Sequence, residues 1–139
     1  MVEAIVDIRG CDLSNQDLSG KVFSAVMLQG ANLADSKVVG SQFARAQAQG
    51  AVLRGVDFTD ANAYGTSFDG ADMSGAQFEN AILTGATFGR DAATGEWANL
   101  KGAHFEGALV SSSDVERICQ NPTLEEDTKR YELGCRAGR

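Results

Sequence analysis

Residues 67–88 read SFDGADMSGAQFENAILTGATF. A large apolar residue stands at every fifth position: Phe68, Met73, Phe78, Leu83 and Phe88. On an α-helix five residues advance by about 500°, so such a stripe would wander around the whole surface. On a β-strand an odd step sends successive members to opposite faces. Neither element buries the pattern. The chain has to turn a corner once every five residues, and Gly70, Gly75 and Gly85 supply the backbone freedom that a repeated corner demands.

The same beat runs outward from Leu13 to Phe88 and, after a break, resumes at Leu100, Phe105 and Val110. That makes 19 units, 17 of them with a large apolar centre, and all seven phenylalanines of the chain are centres. Alanine stands two positions before the centre in 11 of the 19, and glycine two positions after it in 11 of the 19. If each corner is near 90°, four units close a coil of roughly 20 residues, and about five coils stacked at strand spacing make a column ~24 Å tall. Two centres are small, Ala48 and Ala63. The expectation is that Phe43, Phe58 and Phe68 lean in to fill the space, the alternative being a cavity. Gln16 and Lys21 take the small inward positions of the first coil.

This pattern resembles the pentapeptide-repeat family, A(D/N)LXX, on the residues ANL (31–33), ADMSG (71–75) and ANLKG (98–102). The resemblance covers residues 11–110 apart from the break. It implies an all-β solenoid, a right-handed quadrilateral β-helix. The chain then reads as a single domain over 1–139: an N-terminal strand or cap in 1–10, repeats in 11–110 with a loop at 89–99, and a helical cap in 111–139. Ala4, Val6 and Ile8 alternate with other residues, as in a short strand leading into the first coil. A solenoid exposes its core at both ends and needs caps. Ser113 with Glu116, and Thr123 with Glu126, read as capping boxes opening two short helices. The first runs to about Cys119 before Asn121-Pro122, and Gly134 closes the second. Val115, Ile118, Leu124, Tyr131 and Leu133 are the candidate buried face of this two-helix cap.

Cys119 and Cys135 flank the expected helical hairpin. A disulfide between them would add about 3 kcal/mol and would require an oxidising compartment. The alternative is a reduced pair in a cytosolic protein. Cys11, at an inward position, reads as a buried core thiol. The tail ICQNPTLEEDTKRYELGCR (118–136) resembles the C-terminal cap of pentapeptide-repeat proteins of the thylakoid lumen in cyanobacteria and chloroplasts, which carry a Cys, an NPT-like turn and an LGC ending. That resemblance implies a lumenal protein whose targeting segment has been removed. MVEAIVDIRG has no basic start, long apolar stretch or cleavage site of a signal peptide, so a cytoplasmic protein is the alternative.

The chain has 12 basic and 19 acidic side chains, net −7. This disfavours general nucleic-acid binding and adsorption to anionic membranes. No apolar run approaches the roughly 18 residues of a membrane span. His104, the one histidine, sits just before the centre Phe105 and should face solvent, without a nucleophile beside it. Ser111, Ser112 and Ser113 read as turn and cap. DANAYG (60–65) mimics the start of a calcium loop but puts Tyr64 where a ligand is needed. No catalytic, cofactor or metal residues are therefore expected.

The reading is a non-catalytic, monomeric structural or binding module with an unidentified protein partner. Its candidate surface is the nearly uncharged set Val22, Gln42, Asn62, Tyr64 and Ile82. Trp97, in the 89–99 loop, is a candidate aromatic anchor, unless it packs back on the column or cap. The runner-up comes from the family resemblance, which includes acidic rods that mimic DNA and protect type II topoisomerases. Asp12, Asp17, Asp57, Asp60, Asp69 and Asp72 form a loose acidic side, but over residues 11–110 six bases dilute eleven acids.

Overall fold

The computed structural model describes residues 6–136. Each five-residue unit gives three extended residues and two corner residues. The middle extended residue pairs with its counterpart one coil away, and all these pairings are parallel. Four ladders result. The first has rungs Asp7, Met27, Gln47, Ser67 and Thr87; the second Asp12, Asn32, Val52, Asp72 and Asn99. The third has Asp17, Lys37, Asp57, Gln77 and His104; the fourth Val22, Gln42, Asn62, Ile82 and Leu109. Five rungs on each of four faces make five coils of a four-sided column. A side this short leaves one paired residue per face, so among the described residues the faces are ladders of isolated bridges rather than continuous strands.

The corner explains the glycines. The N–H three residues past a centre donates to the centre's carbonyl, as from Ala31 to Leu28 (2.8 Å) and from Ala76 to Met73 (3.0 Å). The residue two past the centre has positive φ, for example Gly30 at 70° and Gly85 at 76°. Positive φ at the third residue of a four-residue turn is the type II geometry, which favours Gly or Asn there. Asn15, Ala25, Asp35, Arg45, Asp60 and Asn80 hold the same angle without being glycine.

Inside, centres stack on centres a coil away. Phe58 lies on Phe78 (4.8 Å between ring centroids) and Phe78 on Phe105 (5.3 Å), while edge-on contacts join Phe43 to Phe58 and Phe58 to Phe68. Ala48 and Ala63 are fully buried. By the coil register Ala48 lies between Leu28 and Phe68, and Ala63 between Phe43 and Leu83. The polar inward residues Ser36 and Ser41 donate their hydroxyls to carbonyls one coil below, of Leu13 (2.7 Å) and Leu18 (2.9 Å), so burial leaves them satisfied.

The ladders reach further toward the N-terminus than the repeat register from residue 11. Asp7 already pairs with Met27, and the Cys11 N–H closes a corner on Ile8. Val6–Ile8 is thus a repeat unit rather than a lead-in strand; Ala4 lies outside the described residues. Cys11 is exposed, not buried, because an inward position of the first coil has a stacked neighbour on one side only. Gln16 and Lys21 are exposed in the same rim.

Rungs are 20 residues apart until the last coil, where Asp72 pairs with Asn99, 27 residues on. The seven extra residues (27 minus 20) form a hairpin at the corner between the first and second faces, with Arg90 and Trp97 paired antiparallel.

The two helical segments of the C-terminal cap are unequal, and the second is not a regular α-helix. One α-helix spans Ser112–Cys119, followed by a short π-helical turn, Thr128–Glu132. The capping box lies two residues earlier than expected: the Ser111 hydroxyl accepts from the Asp114 N–H, and the Asp114 carboxylate from the Ser111 N–H. Thr123 caps no helix. Its hydroxyl accepts from the Leu100 N–H (2.7 Å) on the last coil and itself bonds to the Ala98 carbonyl and Asn121. Asn121, fully buried, donates to the Phe88 and Ala98 carbonyls (2.9 Å each). Glu132 accepts from the Phe105 N–H (2.6 Å), and Asp114 from the Gly85 N–H (3.0 Å). A further coil would offer backbone groups at these places; the cap offers side chains instead. The Asn121 and Thr123 contacts shape its path, and the second helical segment begins only after them. Ile118, Leu124 and Leu133 are buried, Val115 is half-buried, and Tyr131 is 75% exposed rather than part of the buried face. A Cys119–Cys135 disulfide, with Cα atoms 5.8 Å apart, ties the end of the helix to the tail.

Candidate functional site

The outward acids are mostly part of the corners. Asp12, Asp17, Asp57 and Asp72 each fold over the next corner and accept from the backbone N–H two residues on, at 3.0–3.2 Å. Asn32, Asn62 and Asn99 do the same. Where an Asp or Asn stands ahead of a centre, it therefore fixes the turn that follows. Hydrogen bonds from Arg9, side chain then backbone, hold Asp7 at about 2, and bonds from Ser14 and Ser19 lower Asp12 and Asp17. These carboxylates are geometry as well as charge. Asp12 and Asp72 lie on the second face and Asp17 and Asp57 on the adjacent third, so the loose acidic side spans two faces; Asp69, on the first-to-second corner, accepts from the Gly89 N–H.

The fourth face is different. It is the one ladder without a charged rung. Val22 (72%), Leu109 (61%) and Ile82 (37%) are its exposed apolar members. Gln42 and Asn62 sit between them, joined by an amide–amide bond of 3.3 Å. Tyr64 (45% exposed) stands at the edge of this face, under the Arg45 guanidinium at 5.7 Å. The structure thus brings Val22, Ile82 and Tyr64 to one side of the column. It adds Leu109, which sequence periodicity missed: the hairpin stretches the spacing from Ile82 to 27 residues, so Leu109 falls outside the twenty-residue register.

Trp97 does not join them. It lies at the first-to-second corner, with the first face between it and the fourth. It is half-buried, and Arg90 stacks over its ring at 5.1 Å.

The corner between the third and fourth faces carries Asp60, Glu79 and Glu106 in three successive coils. Among the described residues the side chains of Asp60 and Glu106 enter no hydrogen bond or ion pair, and Glu79 Oε2 is buried with no partner. His104, on the third face, has Nδ1 3.0 Å from Glu132 Oε2. That bond raises its pKa against the opposing effect of burial, with the nearby Glu79 and Glu106 adding to the rise.

The stacked centres fill the column, and two surface depressions, of about 250 and 240 Å³, both lie beside the cap. Among the described residues no three His, Cys, Asp or Glu side chains converge as metal ligands, and no helix is long and apolar enough to cross a membrane.

Fold and surface together define a repeat solenoid whose regular letters build corners and core and whose outward rungs either brace a corner or set the character of a face. The pentapeptide-repeat sequence pattern matches in eight copies over residues 7–43, 39–75 and 64–90, and the chain belongs to that family. The family's right-handed quadrilateral β-helix is the architecture of the four ladders. No curated protein matches the sequence. Similar solved structures include a pentapeptide repeat protein (Rfr23) from the cyanobacterium Cyanothece 51142, at 20% identity and TM-score 0.33, covering 76% of this chain and 88% of that one. HetL, involved in heterocyst differentiation regulation in Nostoc sp. strain PCC 7120, aligns at 18% identity and TM-score 0.36, covering 76% of this chain and 52% of its own. A trypsin-treated form of QnrB1, a plasmid-mediated fluoroquinolone resistance protein, aligns at 21% identity and TM-score 0.44, covering 76% and 67%. At these scores none of the three carries a functional argument.

Proposed function

We propose that the protein is a non-catalytic binding module that docks a protein partner on its fourth face. The carrying observation is the uncharged ladder Val22–Gln42–Asn62–Ile82–Leu109, which exposes apolar side chains on a column whose other three faces each carry an acidic rung. Exposed apolar residues held in a row on a stiff support form a ready-made contact strip. An interior packed with stacked, fully buried centres favours binding over catalysis.

We place this module in an oxidising compartment, the thylakoid lumen, on the support of the Cys119–Cys135 bridge and the NPT and LGC elements of the tail. The test is affinity capture from lumenal extract under non-reducing conditions. The bait is the wild-type chain beside an Ile82→Asp/Leu109→Asp variant of equal melting temperature. A partner retained by the first and lost by the second supports the reading; identical capture by both refutes it. A reduced Cys119–Cys135 pair in the native extract would favour the cytoplasmic alternative.

The acidic-rod reading has less support. Asp7, Asp12, Asp17, Asp57 and Asp72 close corners on three faces rather than lining one. Unchanged DNA supercoiling by gyrase at micromolar protein would remove it.

A further inference from the structure

Resting on the reading of the fourth face as a docking surface, we infer the chemistry of the segment it receives: an amphipathic stretch whose apolar side chains are bordered on one side by Lys or Arg. The apolar strip is densest in the last coils, where Ile82 and Leu109 are consecutive rungs and Tyr64 stands at the far edge. The near edge is the corner bearing Asp60, Glu79 and Glu106, one acid per coil: Glu79 and Glu106 hold the same corner position a coil apart, about 4.8 Å, and Asp60 stands one residue further along the corner of the preceding coil. These three differ from the rung aspartates. Among the described residues their carboxylates close no corner; Asp60 and Glu106 are exposed and enter no hydrogen bond or ion pair, with His104 as the nearby titratable group that Glu79 and Glu106 act on. A lone basic group, Arg45, occupies the opposite edge, and there it is stacked on Tyr64. The strip therefore has an acidic rail on one side only.

The rail selects against acidic partners by like-charge repulsion and favours a basic border on that side. It also sets orientation: a segment laid with its basic border toward Tyr64 loses the pairing.

The probes are three short synthetic peptides with one common apolar stripe, bordered by Lys, by Gln or by Glu. Binding to the full chain is read by fluorescence anisotropy at low and at physiological salt. The Lys-bordered peptide should bind tightest, by about five- to thirtyfold over the Gln-bordered one, given two or three exposed ion pairs. The gap should narrow as salt rises. Asp60→Asn/Glu79→Gln/Glu106→Gln keeps size and, at position 60, a residue that tolerates positive φ. It should bring the Lys-bordered peptide down to the Gln-bordered level and leave the latter unchanged. Equal binding of the Lys- and Gln-bordered peptides to wild type, both lost in Ile82→Asp/Leu109→Asp, overturns this inference while the docking reading stands. Lack of binding by every peptide, or binding that survives Ile82→Asp/Leu109→Asp, overturns the inference and counts against the docking reading too.

Discussion

Asn121→Leu removes a side chain that stands in for part of a missing coil. The replacement is close in size and apolar, so the loss is polar rather than steric. Asn121 donates to the Phe88 and Ala98 carbonyls and accepts from the Thr123 N–H (2.8 Å) and hydroxyl (2.6 Å). The Phe88 carbonyl would lose this donor, whereas the Ala98 carbonyl keeps the Thr123 hydroxyl at 3.2 Å. A buried polar group left unpaired costs about 1–3 kcal/mol, and the weakened Thr123 adds part of another such bond, so the sum is about 2–4 kcal/mol. At an unfolding entropy of about 2.1 cal/mol/K per residue, 139 residues give ~0.3 kcal/mol/K, and the melting temperature should fall by roughly 7–14 °C if column and cap unfold together. If the cap opens alone, the effect appears locally. The Leu100 amide, held by Thr123, should then exchange about 30- to 900-fold faster for the same free energy. Native-state hydrogen exchange and thermal denaturation on the same variant separate the two cases. A variant within ~0.5 kcal/mol of wild type, with unchanged Leu100 exchange, would refute the idea that the cap replaces a coil through its side chains.

Three further outcomes are expected. Ala25→Gly relieves a left-handed alanine at φ 59° on a corner and should stabilise the chain by about 0.5–1 kcal/mol in urea unfolding; a destabilised variant would mean that the corner does not require that angle. Asp114→Ala should cost about 2–4 kcal/mol, because the buried carboxylate accepts from Gly85 and Ser111 and pairs with Arg117. Burial pushes its pKa up, but those bonds outweigh it and the net shift is downward. Its contribution is therefore present above the unfolded carboxylate value and lost as pH falls through the folded one. His104 behaves oppositely. Glu132 raises its folded pKa, so its hold on the cap is complete below the ordinary value of about 6.5 and fades as pH rises through the raised one. Exchange of the Phe105 amide, corrected for its intrinsic rate, should accelerate over that window in wild type and lose this dependence in His104→Gln.

The column was legible because every coil repeats one physical demand. Each corner needs a residue tolerant of positive φ, and each side needs an inward residue that fits beneath its neighbours. Those demands recur every five letters, and Phe58, Phe68 and Phe78 announce them without any partner being known. The ends were less legible. Cys11 looked buried because its position in the unit is inward, yet burial depends on a neighbouring coil. Ser113/Glu116 and Thr123/Glu126 have the spacing of capping boxes, but the box forms at Ser111 and Asp114, and Asp114, Asn121 and Thr123 are drawn to the unpaired backbone of the last coils. A helix signal is local; the competing demand came from residues 85–105, far away in sequence.

The sequence by itself determined the five-residue corner, the buried centres, the turn-fixing Asp and Asn, and the cysteine pair that closes the tail. These follow from interactions within a unit or between neighbouring units. Only the tertiary structure decided which outward residues are neighbours. Contact between rungs depends on the length of each coil, which is 20 residues until the Arg90–Trp97 hairpin makes it 27. That change seats Leu109 beside Ile82 and completes the acidic corner with Glu106. A surface of this kind is written in the stacking of coils, where the period along the chain no longer says who lies next to whom.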